Sequence, residues 1–167
     1  QRSLQASAGL GWFASWHTFP SALGFWLCRN PFLLIIGGYD LANMPEINYG
    51  HQRGGLKKWL ARGTMHLATR LMTNSEYSRK EASANAGLDR RRIAVVYHGV
   101  RDLFGSLPQK GRKPLVITVG NVDRTNLHRK GHEPFVRAAA MLPEVEFRLI
   151  GSWRDDAIDY VMSIGTP

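Results

Sequence analysis

Arg129, Lys130 and Gly131 stand side by side in HRKGHEPFVRAA (128–139), between a strand-like run, LVITVGNV (115–122), and a helix-like run, FVRAAAML (135–142). A helix start carries unpaired N–H groups and a partial positive charge, so further cations are unfavourable there unless an anion lies between them. A strand ending in Gly120-Asn121, a polar loop and two cations ahead of a helix together gather a phosphate. Backbone N–H groups at the helix start face it, and flexible side chains fold over it. Lys130 would supply a point charge and Arg129 a fork for two oxygens. The bland alternative is a solvated basic loop. The glycine pattern of a Walker loop is absent, and so is a GxGxxG fingerprint.

A second candidate is GGYD, Gly37 to Asp40, at the end of the most apolar run, FLLIIGG (32–38). Ligands of open α/β sheets bind beyond the carboxyl ends of strands, and two glycines let backbone approach a bound group. Asp40 would then be a general base or a hydroxyl acceptor; the alternative is a turn aspartate bonding its own backbone. His17 and His98 also follow strand-like runs, where a lone histidine is more often packed or at the surface. A third feature is basic. Between Gly50 and Arg101 there are 11 Lys and Arg against 3 acids, with Lys57, Lys58 and Arg62 at helical spacing around Trp59. Such a helix would lie on a lipid surface if Trp59 faces outward; the favoured expectation is that Trp59 faces the core and the cations face water.

These residues must be positioned by the rest of the chain, whose short apolar runs alternate with longer amphipathic ones. That order predicts an α/β protein with mostly parallel sheets, the strands covered on both faces. Strands are expected at 12–16, 32–38, 70–75, 93–99, 115–121 and 146–152. Helices are expected at 20–29, 56–69, 76–86, 133–142 and 155–163, the third capped by Ser75 and stopped by Gly87. DLFGSLPQKGRKP (102–114) has two prolines, two glycines and three cations and reads as a linker. The expected division is therefore a first domain over 1–102, a linker over 103–114 and the start of a second domain over 115–167. With two strands and two helices predicted in the last part, the chain is expected to be an internal piece of a longer two-domain protein.

A net charge of +9 on 167 residues points to polyanionic company, whether phosphates, nucleic acid or an acidic membrane surface. One cysteine, Cys28, leaves neither a disulfide framework nor a cysteine metal site, and fits a reducing cytoplasm. The apolar stretch from Ala8 to Cys28 is interrupted by His17, Thr18, Pro20 and three glycines, which argues against a membrane span.

The order of motifs resembles the retaining glycosyltransferases of family 4, whose GT-B fold pairs two Rossmann-like domains. The resemblance runs from about Trp12 to Ile164. LMTNSEYSRKEASANAGLDRRRIAVVYHGVRDLF (71–104) is similar to the family's strand ending in Ser, helix, Gly-hydrophobic turn, basic strand and Gly-Val ahead of the linker. LVITVGNVDRTNLHRKGHEPFVRAAAMLPEVEFRLIGS (115–152) is similar to the start of its donor-binding domain.

The resemblance implies sugar transfer from a nucleotide-diphosphate sugar to a polysaccharide, glycolipid or other carbohydrate or lipid-linked acceptor, without metal or other cofactor. Lys130 matches the family lysine that grips the donor diphosphate, with Gly120, Asn121 and Gly131 around it. The family's Gly-Arg after the first strand is here Gly120-Asn121, so Arg129, or else Arg124, would supply the arginine. Gly37 and Gly38 match the family loop facing the sugar, and Asp40 and His17 are its catalytic candidates in the first domain. Gly99-Val100 is followed by Arg101 where Asp is common. The family's paired donor-domain glutamates would lie beyond Pro167, so this polypeptide alone is expected to be inactive. The competing class is a basic nucleic-acid-binding α/β module; its weakness is that the aromatic residues fall mostly within apolar runs rather than among the cations. A cytoplasmic location, with peripheral contact to the inner face of an anionic membrane, completes the expectation.

Overall fold

A computed structural model describes residues 6–102 and 114–165. The chain divides into two compact units, Gln1–Arg101 and Asp102–Pro167. Apart from Pro114, the expected linker over 103–114 lies outside the described residues.

In the first unit four strands, β1 (Gly9–Trp12), β2 (Phe32–Ile35), β3 (Arg70–Thr73) and β4 (Ile93–Val95), form one sheet in chain order. Every neighbouring pair is parallel. The crossovers carry helices α1 (Phe19–Leu27), α2 (Gly55–Leu67) and α3 (Glu76–Ala86). Parallel connections are right-handed, so a sheet that grows in one direction sends its successive helices to one face. The register shows that face. Gly11, Leu34, Leu71 and Ile93 lie in one row across the strands, and all are buried. They pack with Phe32, Ala61, Met65 and Ala82 in the unit's core. The next row, Trp12, Ile35, Met72 and Ala94, points the other way, and Trp12 is 52% exposed. Coverage on both faces, expected from the apolar runs, is therefore not what the unit has.

The strand expected at 12–16 instead ends at Trp12. Phe13 takes a left-handed φ of 64°, and Thr18 closes the turn behind it. The Thr18 hydroxyl donates to the Phe13 and Ser15 carbonyls and accepts from the Ser15 N–H. The other expected strands also stop two to four residues early, leaving Gly37, Asn74 and His98 in loops and Gly38–Asp40 in a 3-10 turn. Helix α3 begins and ends as expected: Ser75 Oγ accepts from the Ser78 N–H, and Gly87 leaves the helix at φ 72°.

The second unit pairs β5 (Leu115–Val119) with β6 (Glu146–Ile150) in parallel. Helices α4 (Arg124–Arg129), α5 (His132–Met141) and α6 (Ala157–Gly165) accompany them, around a core of Val122, Leu127, Ala157 and Val161. Helix α4 occupies what the sequence suggests is a polar loop. Its start is fixed by Asp123, whose carboxylate accepts from the Asn126 N–H at 2.8 Å. Both units are thus α/β with parallel sheets. Among the described residues no helix is long and apolar enough to cross a membrane; the Ala8–Cys28 stretch folds as strand, turn and a nine-residue helix.

Leu34, fully buried at the centre of the inward row, should be the most sensitive aliphatic position of the sheet. Leu34→Ala is expected to cost about 2–5 kcal/mol in urea denaturation. Leu10→Ala, at a side chain 65% exposed on the opposite face, should stay within about 0.5 kcal/mol.

Candidate functional site

The loops that follow β1, β2, β3 and β4 converge beyond the carboxyl ends of the strands, where they enclose a cavity of about 510 Å³. Its lining brings together the sequence candidates His17, Gly37, Gly38 and Asp40 with His98. It adds Trp12, Tyr39, Tyr49, His51 and Asn74, which motif reasoning passed over. The available signal was the general one, that residues directly after parallel strands face a ligand; Asn74 immediately follows β3 and was not singled out.

Asp40 is the anchor of this region. It is 1% exposed, and its oxygens are engaged by backbone: Oδ2 accepts from the Ala14 N–H at 2.8 Å, Oδ1 from the Gly37 N–H at 2.9 Å. The carboxylate therefore ties the loop after β1, which carries His17, to the loop after β2. Burial lifts its pKa from 3.8 to about 6, the two N–H groups pulling the other way and Glu81 adding a little to the rise. Each oxygen thus accepts one backbone N–H, and Asp40 holds the wall of the cavity that it also lines.

The backbone of the GGYD turn and of Leu41 after it is held from behind by buried Gln52 and half-buried Arg62 and Asn85. Gln52 Nε2 donates to the Asp40 carbonyl and Asn85 Nδ2 to the Leu41 carbonyl. Arg62 of α2 donates to Gln52 Oε1 at 3.1 Å and to the Asn85 carbonyl at 2.6 Å, joining both supports. Gly50 closes the loop at φ 103°, where a Cβ would stand 1.9 Å from the Ala42 carbonyl oxygen. Only glycine fits there.

On this frame Tyr39 packs its ring edge-on against Tyr49 and His51, with centroids 4.8 Å apart in each case. Burial lowers the His51 pKa, and Lys57 and Arg53 lower it further, all favouring the neutral imidazole. His51 Nδ1 is buried without a hydrogen-bond partner. His98 Nε2 lies 3.0 Å from Asn74 Nδ2, which makes Nε2 the acceptor of that pair. His17 is exposed at the mouth.

In the second unit Gly120 follows β5 directly. A Cβ there would meet His132 Cε1 at 3.3 Å and Lys130 Cγ at 3.6 Å, so the lysine stem and the histidine ring close over the glycine. His132 is fully buried, and its Nε2 donates to the Asn121 carbonyl at 3.2 Å. Lys130 is exposed, and Gly131 turns the chain into α5 at φ 69°.

Arg129 departs from expectation. It is the last residue of α4, where the helix dipole favours a cation, and it donates through Nε and Nη2 to Asn126 Oδ1 at 3.0 and 2.6 Å. Its presence needs no anion. Arg124 is also engaged, in a two-pronged pair with Asp156 at 3.0 and 2.7 Å while its guanidinium lies 5.7 Å from the Tyr160 ring centre. Of the candidate cations Lys130 is therefore the one exposed beside Gly120.

Among the described residues no group of three His, Cys, Asp or Glu side chains is placed to hold a metal ion. No family model and no curated protein sequence matches the chain.

The Asp40 carboxyl has its folded pKa, about 6, above its ordinary 3.8. Between these values the folded state holds more proton than the unfolded one, so this group's contribution is full below about pH 4 and lost as pH rises through about 6. The two-unit difference corresponds to a loss on the order of 3 kcal/mol. Denaturation midpoints across pH 4–7 should show that decline in the native protein, and Asp40→Asn should flatten it.

Proposed function

We propose that the chain is part of a glycosyltransferase that moves a sugar from a nucleotide diphosphate to a carbohydrate or lipid-linked acceptor. The GT-B arrangement and the retaining outcome belong to this reading. The observation that carries it is the exposed Lys130 beside Gly120, at the junction of a parallel strand end and the start of α5. Charge grows on the departing diphosphate as the bond from the anomeric carbon to its oxygen breaks. A lysine and the first N–H groups of a helix are suited to stabilise that charge.

The cavity of the first unit supports the same reading. Trp12, Tyr39 and Tyr49 offer apolar ring surface, while His17, Asn74 and His98 offer polar groups, a mixture suited to a sugar ring and its hydroxyls. Asp40 keeps His17's loop in register with Gly37 and Gly38. Arg129 would act through Asn126, which also donates to the Asn121 carbonyl, and so shapes the turn that carries Lys130.

Ligand-observed NMR with nucleoside diphosphates tests the proposal on this chain. Saturable binding is expected, and Lys130→Ala should weaken it about ten- to a hundredfold, the size of one lost charge-assisted hydrogen bond. In any longer polypeptide containing these residues the same substitution should slow donor turnover by about a hundredfold or more. No response to nucleoside diphosphates, together with RNA binding that falls steeply with salt, would replace this reading with a nucleic-acid-binding module.

A further inference from the structure

Helix α2 buries Ala61, Thr64 and Met65 against the sheet. At 100° per residue the opposite stripe is Leu56, Trp59, Gly63 and His66. Its apolar members are not covered: Leu56 is 73% and Trp59 79% exposed. This reverses the expectation that Trp59 faces the core. The residues that α2 turns inward are instead Ala61, Thr64 and Met65.

The surroundings are cationic. Lys57 and Lys58 lie between Leu56 and Trp59, Arg53 comes just before the helix, and the helix has no Asp or Glu. Arg62 is committed to Gln52 and Asn85 and is not counted. A groove of about 340 Å³, lined by Lys58, Trp59, Arg62, Gly63 and His66, runs beside the tryptophan.

The geometry points to α2 as a docking surface for an anionic lipid bilayer, with Leu56 and Trp59 entering the headgroup boundary. An exposed tryptophan one turn from a leucine gains by leaving water, and indole is suited to the interface between headgroups and acyl chains. Lysine stems extend along apolar surface while their ammonium groups reach anionic headgroups. A strand of nucleic acid would need several ring platforms in sequence, and this stripe has one indole and, two turns on, one imidazole. Lys57 and Arg53 also act on His51 in the cavity wall, so docking here would bring the cavity close to the bilayer. The value of that closeness for a lipid-linked acceptor rests on the glycosyl-transfer reading; the docking itself does not.

Vesicle sedimentation tests it, comparing pure phosphatidylcholine with vesicles in which about a quarter of the lipid is phosphatidylglycerol. The chain should bind the anionic vesicles at low salt and not the neutral ones. Leu56→Ser with Trp59→Ser, and separately Lys57→Gln with Lys58→Gln, should each weaken binding about tenfold or more. Trp153→Ala, exposed in the other unit, should leave it unchanged. Circular dichroism melts check that each variant is folded. No binding at low salt, equal binding to neutral vesicles, indifference to both double substitutions, or RNA binding through these residues without vesicle binding would each overturn the proposal. Failure here with intact nucleoside diphosphate binding would leave the glycosyl-transfer reading standing.

Discussion

The first unit is organised by a carboxylate that reaches across two loops. Asp40 accepts one N–H from the end of β1 and another from the end of β2, so two segments far apart in sequence share one acidic group. An asparagine would offer a single acceptor oxygen and turn its amide donors towards another N–H. The acid can satisfy both donors, and its burial appears directly in the raised pKa. Ionised Asp40 is thus costly for stability and useful for geometry, because it holds the cavity wall at a fixed opening.

What surrounds Asp40 explains why so little of this wall was legible beforehand. GGYD announced a turn, and Asp40 was read either as chemistry or as a turn residue; it bonds Gly37 within its own turn and Ala14 outside it. Local sequence contains the first contact and not the second. Gln52 and Asn85 likewise carry no pattern, and the helical spacing of Arg62 does not name its acceptors, yet together they fix the carbonyls of Asp40 and Leu41 from the turn before α2, from α2 and from the end of α3. Strand ends were overestimated for a related reason. Apolar character continues through Phe13 and Val96, but pairing stops where the backbone turns, as at Phe13 with its positive φ.

Periodicity was informative where elements were long and capped. Helix α3 was readable because Ser75 and Gly87 mark its ends, and the parallel sheets followed from alternating apolar and amphipathic runs. Helix α4 was not, since six residues give fewer than two turns of pattern and its determinant is the Asp123 cap. That omission changed the meaning of the basic run. Arg129 is the last residue of α4 and Lys130 its C-cap, so the end of that helix favours both cations, and they differ in that Arg129 is tied to Asn126 while Lys130 is exposed.

Lysines and arginines in this chain therefore do three separate jobs that net charge alone merges. Arg62, Arg124 and Arg129 are spent on internal acceptors: a backbone carbonyl, two amide oxygens and a carboxylate. Lys130 stands exposed beside a glycine at a strand end. Lys57 and Arg53 act on a neighbour: they add to the burial that lowers the His51 pKa and so favours its neutral form, and its buried Nδ1 has no hydrogen-bond partner. A neutral imidazole next to cations cannot answer an anion by protonation as readily as a free histidine would. It can still offer one ring nitrogen as donor or acceptor, which is the behaviour wanted beside an uncharged hydroxyl. Burial first, and the nearby positive charge after it, thus favour an uncharged group at this point of the cavity wall.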